Sequence, residues 1–182
     1  MRDTRIVRAG EGDLAIIERL ARLTWPDTFR GILSTDQLEY MLDRMYRPEA
    51  LAEQCAMGHV FHLLLATERS SAGSYAGQGT RYRPVGYVSH ELDYLPFTTK
   101  IHKLYVLPGA QGRGYGRMVV EKVRNIADRA GQTKLRLDVN YQNKAVDFYE
   151  RLGFNKVARH DTDIGNGYLM EDWQMEKVLT RH

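Results

Sequence analysis

The sequence predicts a mixed α/β fold with a run of consecutive strands at its centre. Two observations carry this expectation. Apolar residues switch between helical spacing and short alternating or continuous runs, in the order strand, two or three helices, three strands, helix, strand, helix, two strands. Between the third of those central strands and the next helix, Leu104-Tyr105-Val106-Leu107-Pro108-Gly109-Ala110-Gln111-Gly112-Arg113-Gly114-Tyr115-Gly116-Arg117 joins a strand, a glycine-rich turn and an amphipathic helix without a break. Strict strand–helix alternation is missing, which disfavours a doubly wound dinucleotide fold. The 182 residues are 43% hydrophobic and 27% charged, so one globular domain over 1–182 with a sizeable core is expected.

Arg5 to Arg8 reads as the first strand. Asp13 is a suitable N-cap for a helix with Leu14, Ile17, Leu20 and Ala21 on one stripe, closed at Trp25-Pro26. Ser34 with Gln37 three residues on has the form of a capping box, followed by Leu38, Met41, Leu42 and Met45 at helical spacing. A short helix runs from Pro48 to near Gly58. Val60 to Glu68 is strand-like; Ser70 to Arg83, rich in Gly, Ser and Ala, reads as a long hairpin loop. Strands over Val85 to Leu92 and Lys100 to Val106 follow. Val119, Val123, Ile126, Ala127 and Ala130 mark one helix face stopped by Gly131, and Leu135 to Val139 is the next strand. A helix with Val146, Phe148, Tyr149 and Leu152 ends at Gly153. Lys156 to Asp161 and Tyr168 to Val178 form a last hairpin around Gly165-Asn166-Gly167.

The formal net charge is +3 with no basic run interleaved with aromatics, so nucleic acid is not an expected partner. Cys55 is the single cysteine, which excludes an internal disulfide and points to a reducing cytoplasm; it reads as a small buried helix side chain, not a nucleophile. There is no signal-peptide pattern and no apolar run of membrane-spanning length, so a soluble cytoplasmic protein is expected. His59, His62, His90, His160 and His182 show no metal-ligand spacing with one another or with Cys55, and no metal is expected.

The glycine turn is built to meet an anion. Gly112, Gly114 and Gly116 leave backbone N–H groups uncovered, the following helix points its positive end at the same place, and Arg113 and Arg117 lie within it. It lacks the Gly-Lys-Ser/Thr ending of a triphosphate loop and the last glycine of the dinucleotide fingerprint.

Gln111-Gly112-Arg113-Gly114-Tyr115-Gly116 resembles the acyl-CoA-binding motif of the GNAT superfamily of N-acetyltransferases, Gln/Arg-x-x-Gly-x-Gly/Ala. Leu135-Arg136-Leu137-Asp138-Val139-Asn140 and Asn143-Lys144-Ala145-Val146-Asp147-Phe148-Tyr149-Glu150-Arg151-Leu152-Gly153-Phe154 resemble the second half of that family, and the element order matches over nearly the whole chain. The resemblance implies a central, mostly antiparallel sheet of six to seven strands flanked by helices, with splayed central strands. It implies acetyl-CoA as acyl donor and a small primary amine as acceptor, with no metal. By that resemblance Gln111 to Arg117 hold the pyrophosphate, and Leu104, Tyr105 and Val106 run beside the pantetheine. The N–H of Val106 polarises the thioester carbonyl, and Asn140 and Asn143 bind the pantetheine arm; Asn143 reads equally as a plain helix cap.

Tyr149 stands at the family's tyrosine position, as the group that assists the departing thiolate. Some members use a glutamate on the strand entering the turn as base; here that position holds Lys100, which cannot accept a proton while charged. His102 two residues on, Glu91 on the preceding strand and a water relay remain as bases. Asp163 to Lys177, with Thr24-Trp25-Pro26 and Ile32-Leu33-Ser34, resembles the PaiA-like bacterial polyamine acetyltransferases, which makes a polyamine the acceptor suggested and a protein or peptide amine its rival. A non-catalytic acyl-CoA-binding module is the reading from another class. Asp27, Asp36, Glu39 and Asp43 either attract a cationic amine or are a solvated helix face. Family members are often homodimers, and Trp173 and Met175 suit an interface or the core equally well.

Overall fold

In the computed structural model, which describes residues 3–67 and 81–180, one seven-stranded sheet has the order β1-β2-β3-β4-β5-β7-β6. The strands are β1 (Thr4–Arg8), β2 (Val60–Thr67), β3 (Tyr82–Leu95), β4 (Thr98–Val106), β5 (Lys134–Asn140), β6 (Asn155–Gly165) and β7 (Tyr168–Val178). The helices are α1 (Leu14–Thr28), α2 (Thr35–Tyr46), α3 (Pro48–Ala56), α4 (Tyr115–Arg129) and α5 (Ala145–Arg151). Every neighbouring pair is antiparallel except β4 with β5. The expected loop over 70–83 lies outside the described residues up to 80; Tyr82 already begins β3.

Strand alternation sends side chains to two cores, one on each face. Leu135, Leu137 and Val139 of β5 pack with Val119 and Val123 of α4 and with Val146 and Tyr149 of α5. On the other face Ile17 and Trp25 of α1, Met41 and Tyr46 of α2 and Leu51 of α3 pack on Phe61, Leu63 and Tyr87. Met175 is fully buried, with Trp173 packed beside it, so the terminal hairpin spends these two residues on the core.

Three local expectations change. Helix α1 does not close at Trp25-Pro26 but runs through the proline to Thr28, and the Phe29 N–H still reaches Trp25 O at 2.9 Å. Pro26 sits in the last turn, where its missing N–H forfeits one i→i−4 hydrogen bond of the helix. Burial of Trp25 against Phe29, Tyr46 and Tyr105 holds the turn in place. Only half of the capping box forms: Ser34 Oγ accepts from Gln37 N at 3.1 Å, while the Gln37 side chain donates to Leu169 O at 2.9 Å and ties α2 to the terminal hairpin. Cys55 is exposed, on the outer side of α3.

The feature that makes a site is the parting of β4 and β5. Their parallel ladder joins Thr98–Ile101 to Lys134–Leu137 and goes no further. At its end β4 bulges: Ile101 stands opposite His90 and Lys103 opposite Ser89, which leaves His102 as the extra residue. The bulge bends β4 away from β5 and opens a wedge. On the other side of β4 the packing is tight. A Cβ on Gly86 would lie 2.7 Å from Tyr105 O and 3.3 Å from Val106 Cα. Gly86→Ala is therefore expected to lower stability by about 1–3 kcal/mol, the usual range for overpacking. A denaturant midpoint unchanged from the parent would show that β4 shifts freely.

Candidate active site

A cavity of about 1300 Å³ occupies the wedge, bounded by β4, β5, the glycine turn, α5, α1, α2 and the terminal hairpin. Its first asset is backbone. Leu107 N donates to Val85 O at 2.8 Å, and Val106 stands opposite Gly86 in the register. In an antiparallel pair hydrogen-bonded and non-bonded positions alternate, so the N–H and C=O of Val106 and of Leu104 face away from β3, towards the wedge. There β5 no longer pairs with β4. The Val106 carbonyl is taken by Gln111 Nε2 at 3.0 Å, which folds the glycine turn back onto the strand end. The Val106 N–H remains as a donor directed into the gap.

A short 3₁₀ turn, Pro108–Ala110, leads into the glycines. Gly112 and Gly114 have φ of +73° and +78°, and a Cβ on either meets nothing within 4 Å. They supply left-handed backbone and open space at the N-terminus of α4. Gly116 serves packing instead: its Cβ would lie 2.9 Å from Phe148 Cζ, so its absence lets α4 and α5 close on each other. Tyr115 is turned into the core at 5% exposure, so its contribution to the cradle is backbone. Arg117, Lys144 and Arg151 line the cavity and give this end a positive rim. Arg113, expected to share that task, does not line the cavity; its guanidinium donates to Gly109 O at 3.0 Å and braces the turn from outside.

Asn140 and Asn143 line the cavity, and both carbonyl oxygens are already used. Asn140 Oδ1 accepts from Gln142 N at 3.0 Å and Asn143 Oδ1 from Ala145 N at 2.9 Å. Asn143 thus caps the entry to α5, and what each residue can offer a ligand is its side-chain N–H₂. Tyr149 lies 7% exposed against the Phe148 and Phe154 rings and reaches the cavity from the α4–α5 face, and burial pushes its phenol well up. From the opposite face comes Tyr105, whose phenol is also pushed well up by burial, then by Tyr46, Tyr149 and Asp172. Tyr105 is therefore within electrostatic reach of both Tyr149 and Asp172 across the wedge.

The floor on the α1–α2 side is charged. Lys100 Nζ binds Asp138 Oδ2 at 2.7 Å, and Lys103, 6% exposed, donates to Gln54 Oε1 at 2.6 Å and is pushed down to about 8 by burial and by Lys100. Asp172 is 8% exposed and its Oδ1 has no hydrogen-bond partner among the described residues. Burial, followed by the neighbouring Asp138, pushes it up to about 6, against the opposing pull of His160, Lys100 and Arg159. Sequence patterns did not single out Asp172. Its strand alternates visibly, but only the register that sets it opposite Asn140 brings it to the cavity. Of the other helix carboxylates, Asp27 pairs with Arg30, and Glu39 and Asp43 pair with Arg22 on the solvated side.

His102 lines the cavity, and Glu91 does not. His102 Nε2 lies 2.8 Å from Glu91 Oε2, and its ring stacks on His59 at 3.8 Å and 18°. Burial, with His59, Lys100 and Lys103, pushes His102 down to about 2, so the ring is neutral and donates to Glu91. That makes it a weak acceptor for an ammonium proton at neutral pH. His59, Glu91 and His102 nevertheless bring three ligand atoms within 4.8 Å of one another, a cluster that spacing along the chain did not predict. Nitrogen lone pairs lie in the ring planes, and two stacked rings direct them nearly parallel, so they do not converge on one ion.

Among known proteins, the chain is 28% identical over 166 residues to mouse thialysine N-epsilon-acetyltransferase, covering 88% of this chain and 89% of that one. It is 25% identical over 160 residues to spermidine N(1)-acetyltransferase of Thermoplasma acidophilum, covering 87% and 90%. It spans 35% and 53% of the length of two further relatives, both uncharacterised N-acetyltransferases. The crystal structure of the PaiA N-acetyltransferase of Thermoplasma acidophilum in complex with coenzyme A superposes with a TM-score of 0.73 over 97% of this chain and 99% of that one, at 23% identity. The model of the acetyltransferase (GNAT) family matches residues 20–154. With the parted β4 and β5 and the glycine cradle beside them, this match places the chain in the GNAT acetyltransferase family.

Proposed function

We propose that the protein is an acetyl-CoA-dependent N-acetyltransferase that passes the acetyl group directly to a small primary amine. The observation that carries this reading is the Val106 N–H directed into the wedge beside the glycine turn. In this reading the pyrophosphate lies on the N–H groups between Gln111 and Arg117, where the open space at Gly112 and Gly114 admits it. The pantetheine passes Leu104 to Val106 and the amides of Asn140 and Asn143. The thioester carbonyl meets the Val106 N–H, a donor fixed in place by the β3–β4 ladder before any charge develops. The amine attacks from the α1–α2 side, and Tyr149 on the other face assists the sulfur as it leaves. No acyl-enzyme is needed, since Cys55 does not line this cavity.

The Thermoplasma and mouse relatives support an acceptor in the class of polyamines and lysine-like amines. The test is release of coenzyme A from acetyl-CoA with spermidine, thialysine, lysine, n-butylamine and short peptides. Turnover on one or more of the small amines is expected. Tight acetyl-CoA binding with no release on any amine would make this an acyl-CoA-binding module. Turnover confined to peptides would move the acceptor to a protein amine.

A further inference from the structure

Three carboxylates line the cavity: Asp27 pairs with Arg30 at 3.2 Å, and Asp138 is tied to Lys100 through Oδ2 at 2.7 Å, though its own Oδ1 is also buried without a partner among the described residues. Asp172 is the third, more than nine-tenths buried at 8% exposure and with a bare Oδ1. A buried acceptor without a donor is costly, and in a cavity wall it is open to a donor from outside the chain. An amine nucleophile arrives as an ammonium, carrying three donors and one charge. We propose that Asp172 receives the acceptor's ammonium and takes its proton, acting as the general base of the reaction. The proposal rests on the acetyltransferase reading above.

The surroundings suit this task. Asp138 on β5 faces Asp172, His160 and Arg159 stand across from it on β6, and Lys100 and Tyr105 reach it from β4. Asp138 and burial disfavour a second negative charge here, and an incoming ammonium restores the balance. Held up to about 6, the carboxyl is mostly ionised at neutral pH and basic enough to take a proton. The steps balance. Asp172 Oδ1 takes one proton from the ammonium; the nitrogen lone pair bonds to the thioester carbon while the Val106 N–H holds the developing oxyanion. The C–S bond then breaks, Tyr149 gives its proton to sulfur, and the second proton of the attacking nitrogen refills the phenol. The products are the amide, the free thiol and a protonated Asp172, which releases its proton to water.

Two measurements on the full chain test it. The first needs no turnover: carboxyl NMR of protein labelled with ¹³C-aspartate and saturated with coenzyme A. One aspartate titrating near 6, missing in Asp172→Asn and perturbed by added n-butylamine, is expected; an Asp172 signal in the usual range near 3.9, or one indifferent to the amine, overturns the proposal. The second is the pH profile of kcat/KM on each panel amine that turns over. The parent is expected to lose activity below about pH 6 as Asp172 protonates.

Asp172→Asn is expected to fall by about 10²–10⁴-fold at pH 7. Its rate then climbs tenfold per pH unit towards the amine's own pKa, near 10 for a lysine-like amine, because solution must supply the neutral nucleophile. Affinity for coenzyme A stays within about twofold. A variant whose profile is merely lowered in parallel at every pH, or matches the parent, overturns the proposal. A parent that turns over no amine overturns the acetyltransferase reading instead, and the NMR titration still decides the chemistry of Asp172.

Discussion

Replacing Gly114 with aspartate is expected to abolish coenzyme A binding by a protein that still folds. Gly114 is the left-handed residue at φ +78° that starts α4, and nothing lies within 4 Å of where its Cβ would be. Aspartate tolerates this conformation better than most residues, so the folded state loses only about 1–2 kcal/mol. The ligand is affected far more. A carboxylate in the open space of the cradle faces the pyrophosphate at a few ångströms, and two like charges 4 Å apart repel by about 4 kcal/mol near a protein surface. That alone is about a thousandfold in affinity. Gly114→Asn separates shape from charge: it shares the backbone tolerance and most of the volume, so it should weaken binding far less. Calorimetric titration with coenzyme A reads both. An aspartate variant that binds within tenfold of the parent would remove the pyrophosphate from this turn.

The difference between what was and was not legible in the sequence is one of range. Leu104 to Arg117 announces itself because strand, turn and helix are contiguous, and every feature of the cradle is local backbone chemistry. The same holds for Asn140 to Phe154. Asp172 is illegible without the register that sets it opposite Asn140 and His160, since alternation along β7 assigns a face but not neighbours. The His59–Glu91–His102 cluster needs the residue before β2, the interior of β3 and the bulge of β4 to assemble. Arg113 and Pro26 failed for a different reason. The Arg113 guanidinium is taken by Gly109 O within its own turn, and the burial of Trp25 outweighs the local preference of the proline that follows it. Cys55 is exposed because α3 gives the core little beyond Leu51.

Tyr149→Phe is expected to lower kcat by about 10²-fold or more while leaving the affinity for coenzyme A within a few-fold. The change keeps the ring that packs on Phe148 and Phe154, so the core and α5 are undisturbed. What it removes is one O–H in the wedge. Because burial pushes that phenol well up, it holds its proton in the ground state and is a donor at every pH where the enzyme works. Its value appears only as the C–S bond lengthens and charge gathers on sulfur, which is why the loss falls on kcat and not on binding. Nearby Tyr105 does not replace it: its ring packs, tilted, against Trp25 and Tyr87 on the α1 face. Steady-state kinetics with separate calorimetric titration of coenzyme A distinguishes these terms. A variant with undiminished kcat would show that the thiolate leaves unaided, and the wedge would then act through the Val106 N–H and the proton taken on the acceptor side.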